Sequence, residues 1–308
     1  MRKIIDSFPP LVKFFFAISL SIIAVGLVFS LGLLMESQVT GFSITEVLAR
    51  ISQPGRPGSI PVIRFVLALQ TVVVFALPPF VFAFVYGQDC FKSFHLTSVP
   101  PKTLLVYTIL IMFISFPFVN LLSDVNGWVI DGMLGPDNSL KLKENAAETL
   151  VLALIKDSSP WGLPLNIIVM ALLPALIEEL FFRGLLQNFL LRNVKNIHAT
   201  VLISGFIFSF IHFQFYGFIP RMLLGMFFGY LLVWGGSLWI PIVAHFINNL
   251  IAVVGYSLIS KGFLPEAFEK FGTTNNCIFA GFISGLIVAF LLYLILLKYK
   301  TTQILKTN

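Results

Sequence analysis

Hydrophobic residues recur along this chain in eight long runs separated by short polar connections. A helix that crosses the hydrocarbon core of a bilayer needs about 20 consecutive apolar residues, and most of the runs reach that length. The pattern therefore predicts an all-α fold of about eight transmembrane helices. The predicted spans are residues 11–35, 61–86, 103–122, 163–182, 197–213, 219–234, 238–259 and 277–297.

Two connections show helical periodicity of their own. Residues 42–52 and 144–156 alternate charged and aliphatic residues at helical spacing, which predicts short helices lying in the membrane interface. An ordinary helix packed within a loop fits the same spacing, so both alternatives stand.

Small residues four apart occur in two late runs. Gly225 pairs with Gly229, and Gly281 with Gly285. Such pairs predict close approach of neighbouring helix backbones.

Composition excludes an ordinary soluble enzyme. Of the 308 residues, 57% are apolar and 11% are charged, and the mean hydropathy is +0.95. A soluble domain carries about a quarter charged residues. Eight spans with their loops use the whole chain, so we expect no separate soluble domain.

The net charge of +6 is spread over the connections and forms no patch. We therefore interpret it as a signal of membrane orientation, and we expect no nucleic-acid partner. The first run is too long for a signal peptide and is predicted to be a retained span. Basic residues near both ends favour cytoplasmic termini in a multi-pass protein of the cell membrane. These residues are Arg2, Lys3, Lys13, Lys298, Lys300 and Lys306.

The two cysteines give little information. Cys90 lies in a connection and Cys277 at the start of the last run. The predicted topology places them on opposite faces of the bilayer, so we expect no disulfide between them.

A few polar residues interrupt the apolar runs, where an ionised side chain costs about 2.5–3.5 kcal/mol on insertion scales. They are Glu178, Glu179, Arg183, His212, His245, Asn248 and Asn249. A structural polar network between helices explains any one of them. Their convergence from three spans favours a functional site instead.

Helical geometry separates the two adjacent carboxylates. Successive residues point about 100° apart, so Glu178 and Glu179 face different directions. Glu179 stands four residues before Arg183, the favourable order for an ion pair within a helix. Glu178 has no such partner and is available as a general base, with His212 and His245 as candidate imidazole neighbours.

The seventh run places two donors on one helical face. His245 and Asn249 are four residues apart, and together they form a donor pair suited to a developing oxyanion. Asn248 points away from that direction, and we expect it to cap or to bond between helices.

Prolines stand four residues before two of these side chains. Pro174 precedes Glu178 and Pro241 precedes His245. An interior proline kinks a helix and frees a carbonyl. For Pro241 the alternative is that it starts its helix, with Ser237 as a cap.

The three motifs Glu178-Glu179-x-x-x-Arg183, Phe208-x-x-x-His212 and His245-x-x-x-Asn249 resemble those of the CPBP family. These intramembrane proteases include type II CAAX prenyl endopeptidases and the bacterial Abi proteins linked to bacteriocin immunity. The resemblance covers roughly residues 160–255. It implies an eight-helix membrane fold and hydrolysis of a peptide bond in a membrane-associated protein or peptide.

The resemblance also implies roles for the motif residues. Glu178 and His212 would activate water, and His245 and Asn249 would stabilise the oxyanion. Glu179 and Arg183 would hold the shape of the site. The chain then divides into an N-terminal transmembrane region (1–150), a catalytic helical core (151–260) and a final helix with its tail (261–308).

Metal dependence is left open by the motifs. Glu178, His212 and His245 are residue types that could ligate a divalent metal such as zinc. The sequence lacks H-E-x-x-H, however, and the resemblance favours a glutamate-type mechanism without a metal cofactor.

Two other classes of protein remain as alternatives. A proton-coupled transporter would use intramembrane Glu and His as a relay, but we find no inverted halves, which such carriers often have. A non-catalytic scaffold or immunity factor would keep the fold and bind a partner. Oligomeric state is not predicted.

Overall fold

The computed structural model describes residue 5 and residues 7–299, and within them it is 80% helical with no β-strand. This confirms the predicted all-α class. The helices are α1 (Pro10–Thr40), α2 (Ile44–Ser52), α3 (Ser59–Tyr86), α4 (Lys102–Ile114), α5 (Phe116–Leu134), α6 (Ser139–Ile155), α7 (Gly162–Val194), α8 (Ile197–Phe210), α9 (Phe218–Gly235), α10 (Trp239–Ser260) and α11 (Ile278–Lys298). Short turns of helix lie at Cys90–Ser93, Phe215–Gly217 and Glu266–Phe268.

Six of these helices are apolar and long enough to cross a membrane, namely α1, α3, α7, α9, α10 and α11. The pair α4 and α5 would make a seventh span, although it is bent by 53°. Helix α8 is apolar but has 14 residues, or about 21 Å of length against a hydrocarbon core of about 30 Å. The structure thus gives six or seven spans where the sequence predicted about eight. Helix α8 accounts for one span of the difference, and the bent pair α4 and α5 accounts for the other if it is not counted.

The bend between α4 and α5 divides the predicted span 103–122. The Ser115 amide donates to Ile111 O (2.8 Å) and its hydroxyl to Met112 O (3.1 Å), which closes the end of α4. Pro117 follows in the first turn of α5. Since proline has no N–H and its ring clashes with the preceding turn, it favours a kink or break at this point.

Hydrogen bonds between segments far apart in the chain mark two ends of the bundle. At one end Ser237 Oγ donates to Ser98 O (2.7 Å), and at the other Asn126 Nδ2 donates to Tyr216 O (2.7 Å). The chain runs back and forth between these ends, with α8 and the bent pair each making one passage. Helix α1 begins and α11 finishes at the same end. The basic residues 2, 3, 300 and 306 lie outside the described residues.

Both segments predicted to be short helices are helical. Helix α2 begins with a capping box in which the Glu46 amide donates to Ser43 Oγ (3.3 Å) and the Ser43 amide to Glu46 Oε2 (2.8 Å). Helix α6 begins at Ser139 and not at residue 144 as predicted. The Asn138 side chain caps this start by accepting hydrogen bonds from the Leu140 and Lys141 amides. Its buried Leu154 packs toward the bundle, and α6 lies across the end that contains Tyr216.

Glycines set the distance between helices where tight packing was predicted. A β-carbon on Gly225 would stand 3.1 Å from the Gly205 Cα in α8, and one on Gly229 would stand 2.8 Å from Gln187 Oε1. A β-carbon on Gly285 would stand 2.8 Å from the Phe118 ring. The Gly225 contact confirms the predicted close approach of two helix backbones, whereas Gly229 and Gly285 are packed against side chains.

The two prolines play different roles. Pro174 follows a π-helical stretch, Ile167–Leu172, and a second one, Leu180–Gln187, follows the α-helical turn that carries the two glutamates. Single π-helical stretches within α-helices are frequent at functional sites. Pro241 stands in the first turn of α10, so the helix-start alternative is the one observed. Ser237 does not cap that helix, because its hydroxyl donates to Ser98 O.

Candidate active site

The predicted site residues meet in one place. Glu178, His212, His245 and Asn249 all line a cavity of about 760 Å³, which we call the main cavity. It lies between α6, α7, α9 and α10, toward the end of the bundle crossed by α6. Glu179 and Arg183 lie behind its wall and are fully buried.

Glu179 accepts two charge-assisted hydrogen bonds through one oxygen. Arg183 Nη1 donates to Glu179 Oε1 at 2.8 Å, as the spacing of four residues predicted. His245 Nδ1 lies 2.9 Å from the same oxygen. Because the carboxylate accepts, the Nδ1 atom carries the proton, and Nε2 is left to face the cavity. The sequence did not predict this link between Glu179 and His245.

Arg183 is enclosed by groups that compensate its charge. Its Nη2 donates to the Gly225 carbonyl of α9 at 2.7 Å. Its guanidinium carbon stands 4.9 Å from the ring centre of Phe208 and 5.4 Å from that of Phe228, within the range of cation–π attraction. We call Glu179, Arg183, the Nδ1 side of His245 and the Gly225 carbonyl the closed cluster.

Glu178 and His212 are neighbours in the wall of the main cavity. His212 Nε2 is 3.9 Å from Glu178 Oε2. His212 Nδ1 is 2.7 Å from the Phe208 carbonyl, which can only accept, so in the neutral ring the lone pair is on Nε2. Two acceptors therefore point toward one small volume, and their separation is one that a shared water can bridge.

Phe208, the first residue of the second motif, organizes the aromatic surroundings. Its ring contacts His212, His245 and Phe182 edge-on, with centroid distances of 5.2, 5.8 and 5.0 Å. One side chain thus sets the spacing of both imidazoles relative to α7. The contact between the Phe208 and His212 rings gives a structural reason for the spacing of four residues in the second motif.

Asn248 and Asn249 both line the main cavity. Asn248 Nδ2 donates to Asn249 Oδ1 at 3.2 Å. The expectation that Asn248 caps or bonds between helices is therefore not met, because it bonds to its neighbour. This bond leaves the Asn249 amide nitrogen as the donor available on the face shared with His245.

A zinc site would need three ligating side chains around one point. In the part of the chain that the structure describes, no three His, Cys, Asp or Glu side chains are placed to hold a metal ion. Glu178, His212 and His245 do not form such a set as they stand, and His245 Nδ1 is already engaged by Glu179. We therefore derive no step through a metal. The two cysteines are both free.

Four charged residues of the main cavity were not predicted from the sequence, namely Glu144, Glu148, Arg221 and Glu269. Arg221 interrupts the apolar run 219–234, and it belonged among the intramembrane polar residues by the same criterion as the others. Its guanidinium donates to Gln214 O and Oε1, both at 3.0 Å. Glu144 comes from α6 and only the fold brings it here; burial raises the pKa of Glu144, and the positive charge of Arg221 opposes that rise.

Comparison with known proteins agrees with the motifs. Residues 160–251 match the family model described as Type II CAAX prenyl endopeptidase Rce1-like. No significant match was found among curated proteins or among solved structures. The match confirms the predicted resemblance and covers all six predicted site residues. With the apolar helices, it identifies a multi-pass membrane protein that carries a segment similar to CAAX-type proteases.

Proposed function

We propose that this multi-pass membrane protein, whose residues 160–251 match the Rce1-like type II CAAX prenyl endopeptidase family, is an intramembrane endopeptidase. Its substrate would be a membrane-associated protein or peptide. One observation carries the proposal: Glu178 of α7, His212 of the turn after α8, and His245 and Asn249 of α10 line a single cavity large enough for a peptide segment.

Glu178 and His212 would activate the attacking water. Since both present an acceptor, a water placed between Glu178 Oε2 and His212 Nε2 donates a proton toward each, and its oxygen lone pair is left for the substrate carbonyl. One proton passes to this pair as the carbon–oxygen bond forms. The same pair then returns a proton to the leaving amine as the peptide bond breaks.

His245 and Asn249 would stabilise the tetrahedral oxyanion. The Asn249 amide nitrogen is a donor in the cavity wall. His245 can add a second donor at Nε2 only when the ring carries both protons, since Nδ1–H is already donated to Glu179. The closed cluster would act as the support of His245, holding the ring in one orientation.

Hydrolysis by Glu178 and His212 requires no metal in this scheme. The zinc alternative makes a different prediction, namely about one bound metal per chain and loss of activity with a chelator. Metal analysis of the purified protein, with activity measured before and after chelation and after zinc is restored, separates the two mechanisms.

The test uses purified protein in liposomes and a library of membrane-derived peptides analysed by mass spectrometry. We expect cleavage by the wild type and loss of about 10²–10⁴-fold in rate for Glu178→Gln. Glu36→Gln is the matched control, because Glu36 is a buried carboxylate on α1 that does not line the main cavity. Full activity of Glu178→Gln would overturn the proposal.

Membrane orientation is part of the proposal. We place the protein in the cell membrane, with the start of α1 and the end of α11 on the cytoplasmic side. Cys277 is exposed at the opposite end of the bundle. A membrane-impermeant maleimide should therefore label Cys277 in intact cells, and Cys277→Ser should remove that label. Labelling of Cys277 only after lysis would indicate the reverse orientation.

A further inference from the structure

A second, smaller pocket adjoins the main cavity. Its volume is about 180 Å³, and it lies between the α4–α5 bend, α10 and the turn Glu266–Phe268. The residues that line both spaces are Val119, Asn248, Ala252, Tyr256 and Glu269. We call it the side pocket. Since Asn248 bonds to Asn249, the side pocket begins beside the predicted oxyanion donor.

The hydrogen-bond donors of the polar side chains around the side pocket are engaged within the protein. Tyr256 Oη donates to Glu269 Oε1 (3.1 Å), and Asn120 Nδ2 donates to the Glu269 carbonyl (2.9 Å). Asn248 is held by Asn249, and the Ser115 hydroxyl donates to Met112 O. An apolar group that enters the pocket therefore breaks no donor's hydrogen bond.

The remaining wall is apolar. It is formed chiefly by Met112, Phe116, Ile251, Ile259 and Phe268. A cavity of about 150 Å³ lined by such side chains binds benzene. The side pocket therefore has room for one side chain up to the size of a phenyl ring.

Gly255 is one of the residues by which α10 lines the side pocket. A β-carbon there would have only Phe268 Cε1 near it, at 4.0 Å. Its φ is not in the left-handed region, so neither packing nor backbone conformation requires glycine. Gly225, by contrast, has a backbone neighbour at 3.1 Å. Glycine within a helix is less stable than alanine, and at position 255 the missing side chain leaves the pocket open.

We infer that the side pocket is a specificity subsite that binds one apolar side chain of the peptide substrate, close to the scissile bond, with Gly255 as the specificity-determining residue. The occupant is a Leu, Ile, Met or Phe side chain. This inference rests on the proposed endopeptidase function, because the pocket opens beside the residues assigned to the oxyanion.

The experiment compares Gly255 with Gly255→Ala and Gly255→Leu. Gly255→Leu fills the pocket, whereas Gly255→Ala adds one methyl group into open space and serves as the folded control. Each variant is incubated with a peptide library randomised around the cleavage site, and the products are sequenced by mass spectrometry. We expect the wild type to prefer Leu, Ile, Met or Phe at one position, and Gly255→Leu to shift that preference toward Gly or Ala by tenfold or more.

A binding measurement separates this inference from the proposed function. The Glu178→Gln protein is mixed with the same library, and bound peptides are isolated and sequenced. Enrichment of large apolar residues at one position should occur with Gly255 and be lost in the Glu178→Gln/Gly255→Leu double variant. Equal profiles for the two proteins, including no enrichment in either, would overturn the subsite. Enrichment that depends on Gly255 without cleavage by the wild type would support the subsite and contradict the protease proposal.

Discussion

Glu178 and Glu179 are neighbours in α7, yet they belong to regions of opposite character. Glu179 lies in the closed cluster, fully buried and bonded to Arg183 and His245. Glu178 faces the main cavity, and its nearest ionisable partner, His212, is 3.9 Å away. A rotation of about 100° around one helix separates a carboxylate paired with Arg183 and His245 from one that faces the main cavity. His245 joins the two regions, because one ring nitrogen faces each.

The sharpest test exchanges each carboxylate for its amide. Glu178→Gln should lower kcat by about 10²–10⁴-fold with little change in thermal stability, since it removes a base and no buried ion pair. Glu179→Gln should lower the melting temperature as well, because Arg183 loses its counter-charge. Peptide hydrolysis and thermal unfolding of both purified proteins measure the difference. An active Glu178→Gln protein beside a stable, inactive Glu179→Gln protein would show that the roles are reversed.

The closed cluster should behave as one unit in stability. Arg183→Met should reduce the free energy of unfolding by about 3–5 kcal/mol, because it leaves Glu179 charged and buried. The double variant Glu179→Gln/Arg183→Met should be less destabilised than Arg183→Met alone. Equilibrium unfolding in mixed micelles measures both, with the exposed Arg56→Met as a control expected within about 0.5 kcal/mol. Strict additivity of the single effects would argue against a coupled cluster.

On the cavity side, the two asparagines should differ. Asn249→Ala should lower kcat by about 10²–10³-fold with a small change in KM, as for loss of an oxyanion donor. Asn248→Ala removes the group that orients Asn249 and should cost less. Steady-state kinetics of the two variants on one cleaved peptide gives the comparison. A larger loss for Asn248→Ala would assign the donor role to that residue.

The smallest change in stability is expected at Gly225, whose carbonyl belongs to the closed cluster. Gly225→Ala places a methyl group 3.0 Å from the Phe208 ring and 3.1 Å from the Gly205 Cα, and we expect a loss of about 1–3 kcal/mol. Gly26→Ala is the matched control, because nothing lies within 4 Å of its added β-carbon. That variant should be neutral or stabilised by up to about 1 kcal/mol. Thermal unfolding distinguishes the two, and equal melting temperatures would contradict the packing argument.

Local spacing predicted some contacts of the site and could not predict others. The Glu179–Arg183 pair follows from residues four apart on one helix. The Glu179–His245 bond joins residues 66 positions apart, and no periodicity encodes which face of α10 meets α7. Arg221 was visible as a charge within an apolar run and was overlooked. Glu144 was not predictable, because α6 reaches the cavity only by folding across the end of the bundle.

The number and shape of the spans were also only partly predictable from local sequence patterns. Hydropathy located the apolar segments, because any stretch in lipid must shield its backbone and present apolar side chains. It did not show that α8 ends after 14 residues or that Pro117 bends the third span by 53°. The end of α8 and the bend in the third span depend on whether a turn can be accommodated there, which is set by the packing of the neighbouring helices.

By itself, the sequence determined that this is a helical membrane protein with three short motifs, because hydropathy and helical spacing are properties of neighbouring residues. The tertiary structure decided which nitrogen of each histidine faces the cavity, which asparagine offers a free donor, and where a glycine leaves a pocket open. These features depend on contacts between helices far apart in the chain. Such contacts are set by the packing of whole faces, which no local pattern specifies.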